Sequence, residues 1–251
     1  MSLISILIVC FLSFIVSTLS ISVGGTSLIT VPVLISLGMI PKSAVATNMF
    51  ALIFFSMSGA IGFRKEIRIT HHKMIVFFSI LTICGSVAGA NLILAIEKDI
   101  LKKVIAIMIC IIACSFFLKK DLGIQERNEK ISKIKLGGGA IIIFILGIYG
   151  GFFSGGYVTL LSYVLILIFG LNFLQAAFIT KVFNMFSSLV ACAFFYYHDL
   201  IDFSVGIPLA FSMSLGGFLG TRLAIAKGNL WVRNLFIIAV ILLAIKLLIF
   251  G

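Results

Sequence analysis

Residues 23–34 read VGGTSLITVPVL, and residues 154–165 read SGGYVTLLSYVL. Each stretch opens on a glycine pair, Gly24-Gly25 or Gly155-Gly156, and continues into a short apolar segment, 26–39 or 157–170. Fourteen residues of helix at about 1.5 Å each reach about 21 Å, less than the ~30 Å hydrocarbon core of a bilayer. These segments are therefore read as half-helices or re-entrant pieces. What surrounds them repeats too. Thr47 matches Thr180 and Asn48 matches Lys181. Phe63-Arg64-Lys65-Glu66 matches Tyr196-Tyr197-His198-Asp199, and Gly85 and Gly89 match Gly216 and Gly220. The offset stays between 131 and 133 residues throughout. Self-similarity at a fixed spacing organises the chain into two copies of one unit.

Composition says where such a unit can live. The chain is 62% hydrophobic and 11% charged, with a mean hydropathy of +1.30. Soluble domains are about half apolar and about a quarter charged. Ten apolar segments can be drawn: 3–22, 26–39, 44–63, 74–96 and 100–118, then 136–154, 157–170, 174–197, 204–226 and 231–250. Runs such as Ile141 to Ile145 do not alternate as barrel strands do, and in lipid a helix satisfies its own backbone. The predicted fold is an all-α, polytopic membrane protein with two repeats of about five segments each, one short or re-entrant segment per repeat. The first repeat is 1–118 and the second 136–251. Between them lies 119–135, the one sizeable hydrophilic stretch, with nine charged residues. Met1 to Phe11 carry no Lys or Arg, so the first segment reads as a retained helix and not a signal peptide.

The net charge of +11 reads as positive-inside bias, not as nucleic-acid binding. Placing 119–135 in the cytoplasm puts thirteen Lys and Arg inside, against Lys42, Lys98, Lys102 and Lys103 outside. Segment three then runs out-to-in and its counterpart, segment eight, in-to-out. The repeats are expected to be inverted, an architecture of secondary transporters with a site where broken helices meet. Pro32 and Pro41 read as structural breaks. Gly85-x-x-x-Gly89 and Gly216-x-x-x-Gly220 read as helix-packing motifs, and Arg222 as a cytoplasmic-side anchor.

All eight acidic residues fall in loops. Cation carriers and proton pumps usually need an intramembrane carboxylate, so a cation substrate is disfavoured. No nucleophile–base constellation is visible, which argues against an enzyme. The five cysteines lie in apolar segments without metal-site spacing, and no cofactor or metal is expected. Lys181 is different. It lies in segment eight beside Thr180 and one turn before Asn184, a plausible donor set for an oxyanion. The alternative is a lysine snorkelling to the interface. Thr26 and Ser27, after Gly24-Gly25, can open a helix whose N–H groups suit an anion. Tyr157 and Thr159 follow Gly155-Gly156 in the same way. The alternative there is that the glycines only permit close helix packing.

Val23-Gly24-Gly25-Thr26, Pro32-Val33-Leu34, Gly38 and Ala46-Thr47-Asn48 together resemble the TauE/SafE, or sulfite exporter, family. Gly150-Gly151-Phe152-Phe153-Ser154-Gly155-Gly156 and Thr180-Lys181 resemble its second repeat, and Gly216 to Arg222 its glycine-rich late helix. The chain departs from the pattern at Ser162-Tyr163, where a proline would match Pro32, and at Tyr157, which replaces a small residue. The resemblance implies a multi-pass permease of the bacterial inner membrane for sulfite or an organosulfonate. The expected substrate site is Gly24, Gly25, Thr26, Ser27, Thr47, Asn48, Gly155, Gly156, Tyr157, Thr159, Thr180, Lys181 and Asn184. The expected partners are a small anion and lipid, not nucleic acid. Other readings are a carrier for a carboxylate or sulfur amino acid, and a membrane assembly or sensor subunit that transports nothing.

Overall fold

The computed structural model describes residues 2–64, 72–95 and 132–250. Eight helices occupy the described residues. The first four are α1 (Leu3–Ser20), α2 (Ser27–Ser36), α3 (Pro41–Arg64) and α4 (His72–Ala95). The others are α5 (Lys133–Phe152), α6 (Tyr157–Phe169), α7 (Phe173–Tyr197) and α8 (Phe203–Phe250). Six are long and apolar enough to cross a bilayer, while α2 and α6 are apolar but short. The fold is all-helical and polytopic, with one short helix after each glycine pair. Segment five, most of the hydrophilic stretch 119–135, Cys110, Cys114 and the basic cluster Lys65 to His71 lie outside the described residues.

Boundaries moved where local chemistry differs from hydropathy. α5 starts at Lys133, capped by the Ser132 hydroxyl accepting from the Lys135 N–H, so polar residues expected in the linker form its first turn. α7 is opened by a capping box between Asn172 and Gln175. Pro32 is no break. It sits inside α2, whereas Pro41 opens α3 at a position that has no N–H to satisfy. Segments nine and ten join in α8 through a kink at Gly228, whose φ of 75° lies in the left-handed region.

The packing treats the halves alike. α1 lies along α8, and α4 lies along α5. A Cβ on Gly220 would collide with the Thr18 carbonyl of α1, and one on Gly89 with the Ile148 carbonyl of α5. Both glycine motifs therefore bring two backbones together, as small residues do in membranes. α3 and α7, which carry the matching pairs Thr47-Asn48 and Thr180-Lys181, pack against each other. Moving up α7, the Lys181 stem meets Gly59, Asn184 meets Ser56, Ser188 meets Met49, and Asp202 beyond the helix meets Thr47. As one residue number rises the other falls, so α3 and α7 run antiparallel.

The outside is oily, and the inside is an apolar core with polar residues set into it. Ile207, Phe211, Leu215 and Phe218 make an exposed stripe on α8, and Leu3, Leu7, Phe11 and Ile15 make one on α1. The buried set instead includes Ser27, Thr30, Asn48, Ser56, Ser86, Ser154, Lys181, Asn184 and Ser187. Apolar residues facing outward and polar residues facing one another are what a bilayer demands. Arg222 is exposed, with its guanidinium carbon 4.4 Å from the Phe218 ring centroid.

Candidate functional site

The two glycine breaks meet. Gly24 and Gly25 both adopt φ near +88°, and Gly156 adopts +81°, a region where a Cβ is penalised. A Cβ on Gly24 would also stand 2.8 Å from Val158 Cβ and 3.0 Å from the Thr159 backbone nitrogen. Glycine thus serves two needs there, the turn and the close approach of the other half. Gly155 lies against Phe153 and Leu28. Two hydrogen bonds cross the seam. Ser27 Oγ pairs with Ser154 Oγ at 2.6 Å, and Thr159 Oγ1 donates to the Val23 carbonyl at 3.0 Å. A residue after the first break holds the residue before the second, and the reverse. Tyr149 OH donates to the Gly155 carbonyl, and Thr26 Oγ1 pairs with Ser20 Oγ at 2.6 Å.

Asn48 closes one side of this seam. Its Nδ2 donates to Ser27 Oγ at 2.8 Å, and its Oδ1 accepts from Thr30 Oγ1 at 2.6 Å. Asn48, Ser27, Thr30 and Ser154 form a fully buried, bonded group. Thr47 turns elsewhere. Its Oγ1 accepts from the Asp202 N–H at 3.0 Å, tying α3 to the loop before α8.

Lys181 lies between α3 and α7. It is the ninth residue of α7, about 12 Å along the helix at 1.5 Å per residue. It is 0% exposed, and its Nζ has no hydrogen-bond partner. Its stem passes Gly59, where a Cβ would come within 3.1 Å of Lys181 Cγ. The ammonium sits 4.5 Å from the Phe55 ring centroid, a cation–π contact. No buried side chain among the described residues is Asp or Glu. The side chain therefore does not snorkel to a surface. Thr180 does not join it, because its hydroxyl donates back to the Ala177 carbonyl at 3.0 Å. Asn184 does share this seam, with Nδ2 donating to Ser56 Oγ at 2.7 Å and Oδ1 unpartnered. Tyr157 is buried elsewhere, with its ring beside Gly150 and, through it, Ser187. Ser187 accepts a 2.8 Å bond from Ser86.

The structure thus gathers Gly24, Gly25, Ser27, Asn48, Gly155, Gly156 and Thr159 at the meeting of the breaks, and Lys181 with Asn184 in the α3–α7 seam. Thr26, Thr47, Tyr157 and Thr180 are occupied in separate contacts. Sequence reasoning missed Thr30, Ser56, Ser154 and Phe55. Ser154 stands immediately before a glycine pair, Thr30 one turn after Ser27, and Ser56 eight residues after Asn48, spacings that share a helix face.

A family model described as sulfite exporter TauE/SafE matches residues 9–247. The chain belongs to the TauE/SafE family. Among similar proteins is a "Probable membrane transporter protein" of Haemophilus influenzae, 30% identical over 234 residues that cover 93% of this chain and 91% of that one. The "Probable membrane transporter protein YfcA" of Escherichia coli is 27% identical over 230 residues, 90% of this chain and 82% of its own. A "Probable membrane transporter protein ORF9" of Sinorhizobium is 26% identical over 225 residues, 90% of this chain and 85% of its own. No solved structure matches this TauE/SafE chain.

Proposed function

We propose that this chain is a multi-pass permease of a bacterial inner membrane that exports a small anion, with sulfite or an organosulfonate as substrate. The family and the names of its relatives support transport. The observation that carries the anion is Lys181, a buried ammonium with no partner and, among the described residues, no buried carboxylate. An isolated charge in such surroundings costs several kcal/mol, so it calls for a counter-ion that comes and goes. The antiparallel course of α3 and α7, and the exchange of α1–α8 for α4–α5 contacts, support reading the halves as inverted repeats. Lys181 and the two glycine breaks then face a shared path, with Ser27, Thr159 and Asn48 sealing one side of it.

Export needs no coupling ion. Moving one negative charge out of a negative interior is favourable by about 2.3 kcal/mol per 100 mV. Among the described residues no carboxylate is buried, which fits a carrier that works without a proton or sodium site.

The test is sulfite flux from proteoliposomes at a set membrane potential. Wild type should release sulfite faster as the interior is made more negative, and Lys181→Ala should lose at least tenfold of that flux. Undiminished flux in Lys181→Ala removes Lys181 from the path. No flux of any oxyanion in folded wild-type protein removes the permease reading, and favours a subunit that does not transport.

A further inference from the structure

The α3–α7 seam holds two buried side-chain atoms that lack partners and are of opposite kind. Lys181 Nζ can only donate, and Asn184 Oδ1 can only accept. Residues three apart on a helix are stacked on one face, and both side chains reach the same step of α3. Lys181 lies over Phe55, and Asn184 donates to the adjacent Ser56. That bond uses one N–H of the amide and leaves the carbonyl oxygen without a partner. Lys181 is 0% exposed and Asn184 is 1% exposed. Buried polar atoms are nearly always satisfied. Two complementary ones that do not bond each other are a place for a third body that accepts from the first and donates to the second.

Chemistry narrows that body. A fully deprotonated oxyanion answers Lys181 but sets its lone pairs against those of Asn184 Oδ1, which stays unsatisfied. A zwitterion can donate to Asn184 only by bringing a second ammonium beside Lys181, where no buried carboxylate offsets it. A neutral molecule leaves the lysine charge uncompensated. A dianion overshoots one ammonium by a full charge. On the permease reading above, we infer that the site takes a singly charged oxyanion bearing one acidic hydrogen. Its charged oxygen accepts from Lys181 Nζ, and its O–H donates to Asn184 Oδ1. Within the sulfur anions this selects a hydrogen-bearing oxyanion over a sulfonate, which has no O–H to give.

Two probes differ in that one hydrogen. Methylphosphonate and methanesulfonate have the same shape and, at a suitably acid pH, the same single charge, but only the phosphonate keeps an O–H. Their fluxes, and that of sulfite, are measured with the full chain in proteoliposomes at one pH and one potential. A site built around a buried acceptor rejects the analogue that cannot satisfy it, so wild type should carry methylphosphonate at least about tenfold faster. In Asn184→Leu that ratio should fall toward one, through loss of the phosphonate flux. Lys181→Ala should slow both. A wild-type ratio at or below one overturns the inference, as does an Asn184→Leu protein that keeps the ratio. Vesicles that carry sulfite but not methylphosphonate overturn it too. The wild-type ratio decides the matter if Asn184→Leu does not fold. Failure of sulfite and both probes to move in folded wild type is a different result, and removes the permease reading itself.

Discussion

Asn48 and Lys181 stand at matching places in the two halves, eight and nine residues into α3 and α7. Each is almost completely buried, yet their situations are opposite. Both polar atoms of Asn48 are bonded, to Ser27 and Thr30, and Ser27 carries the link on to Ser154. Lys181 Nζ has nothing but an aromatic face. The reason is written in the copies. At the offset of the glycine pairs, Val158 stands for Ser27, Leu161 for Thr30 and Val23 for Ser154. Every hydroxyl that saturates Asn48 has an aliphatic residue as its counterpart in the other half. One copy uses its polar groups for closure, and the other keeps a charge without a partner. A fold that needed only closure would have no use for the second arrangement, because an uncompensated buried charge destabilises.

The comparison can be attacked first where the halves agree. Gly89 and Gly220 occupy equivalent close contacts, each against a carbonyl of a neighbouring helix. Gly89→Val and Gly220→Val should each cost more than the about 1–3 kcal/mol typical of overpacking, because backbone, not a flexible side chain, must give way. Both variants should be lost from the membrane fraction, or elute as aggregate on size-exclusion chromatography. A variant that folds normally in one half alone would show that the halves do not share a packing plan.

The next attack is where they differ. Lys181→Met replaces a buried unpartnered charge with an apolar chain of similar length. Replacing even a buried ion pair by apolar residues is often neutral or stabilising by about 1–4 kcal/mol, and Lys181 has no partner to lose, so thermal unfolding in detergent should occur at a higher temperature. Oxyanion flux should fall at least about a hundredfold, the exchange of stability for function expected at a binding site. Asn48→Leu should do the reverse to stability. It removes two buried hydrogen bonds, at about 0.5–1.5 kcal/mol each, while Ser27 keeps Ser154 and Thr30 keeps the Thr26 carbonyl as partners. If both substitutions shift the unfolding temperature the same way, the division between a saturated and an unsaturated copy is wrong.

Much of this arrangement was legible before any coordinates. Hydropathy located the spanning helices, and the shortness of 26–39 and 157–170 identified the two half-length ones, because length against bilayer thickness is a one-dimensional quantity. The glycine pairs could be found because they recur, and Lys181 because an ionisable residue in an apolar run stands out against its neighbours. Capping was less visible, so α5 begins earlier than its hydropathy suggests. Pro32 misled because a proline's effect depends on whether its neighbours can accommodate a missing bond, and α2 can. The hydroxyl partners were hidden for another reason. Serine and threonine are common in membrane helices, and only tertiary contact distinguishes Ser154, which crosses to the other half, from Ser212, which bonds a carbonyl of the adjacent α1. Thr180 shows the converse, since adjacency to Lys181 in sequence points it to a different side of the helix.

The smallest effect tests whether the breaks are held by polar contact or by shape. Ser27 and Ser154 bond across the halves at 2.6 Å, but Ser27 also accepts from Asn48. Ser154→Ala therefore leaves Ser27 with a partner, and the single substitution should cost less than Asn48→Leu. Hydrogen bonds between membrane helices contribute about 0.6 kcal/mol on average in double-mutant cycles. A cycle of Ser27→Ala and Ser154→Ala, read by unfolding in detergent, should give a coupling of about that size. Ser27→Ala alone should cost more than Ser154→Ala, because it also frees the Asn48 amide. A coupling indistinguishable from zero would leave the seam to the packing of Gly24 against Val158 and Thr159 and to the bond from Thr159 to the Val23 carbonyl. The saturated copy would then be closed by fit and not by its hydroxyls, and the contrast with Lys181 would rest on charge alone.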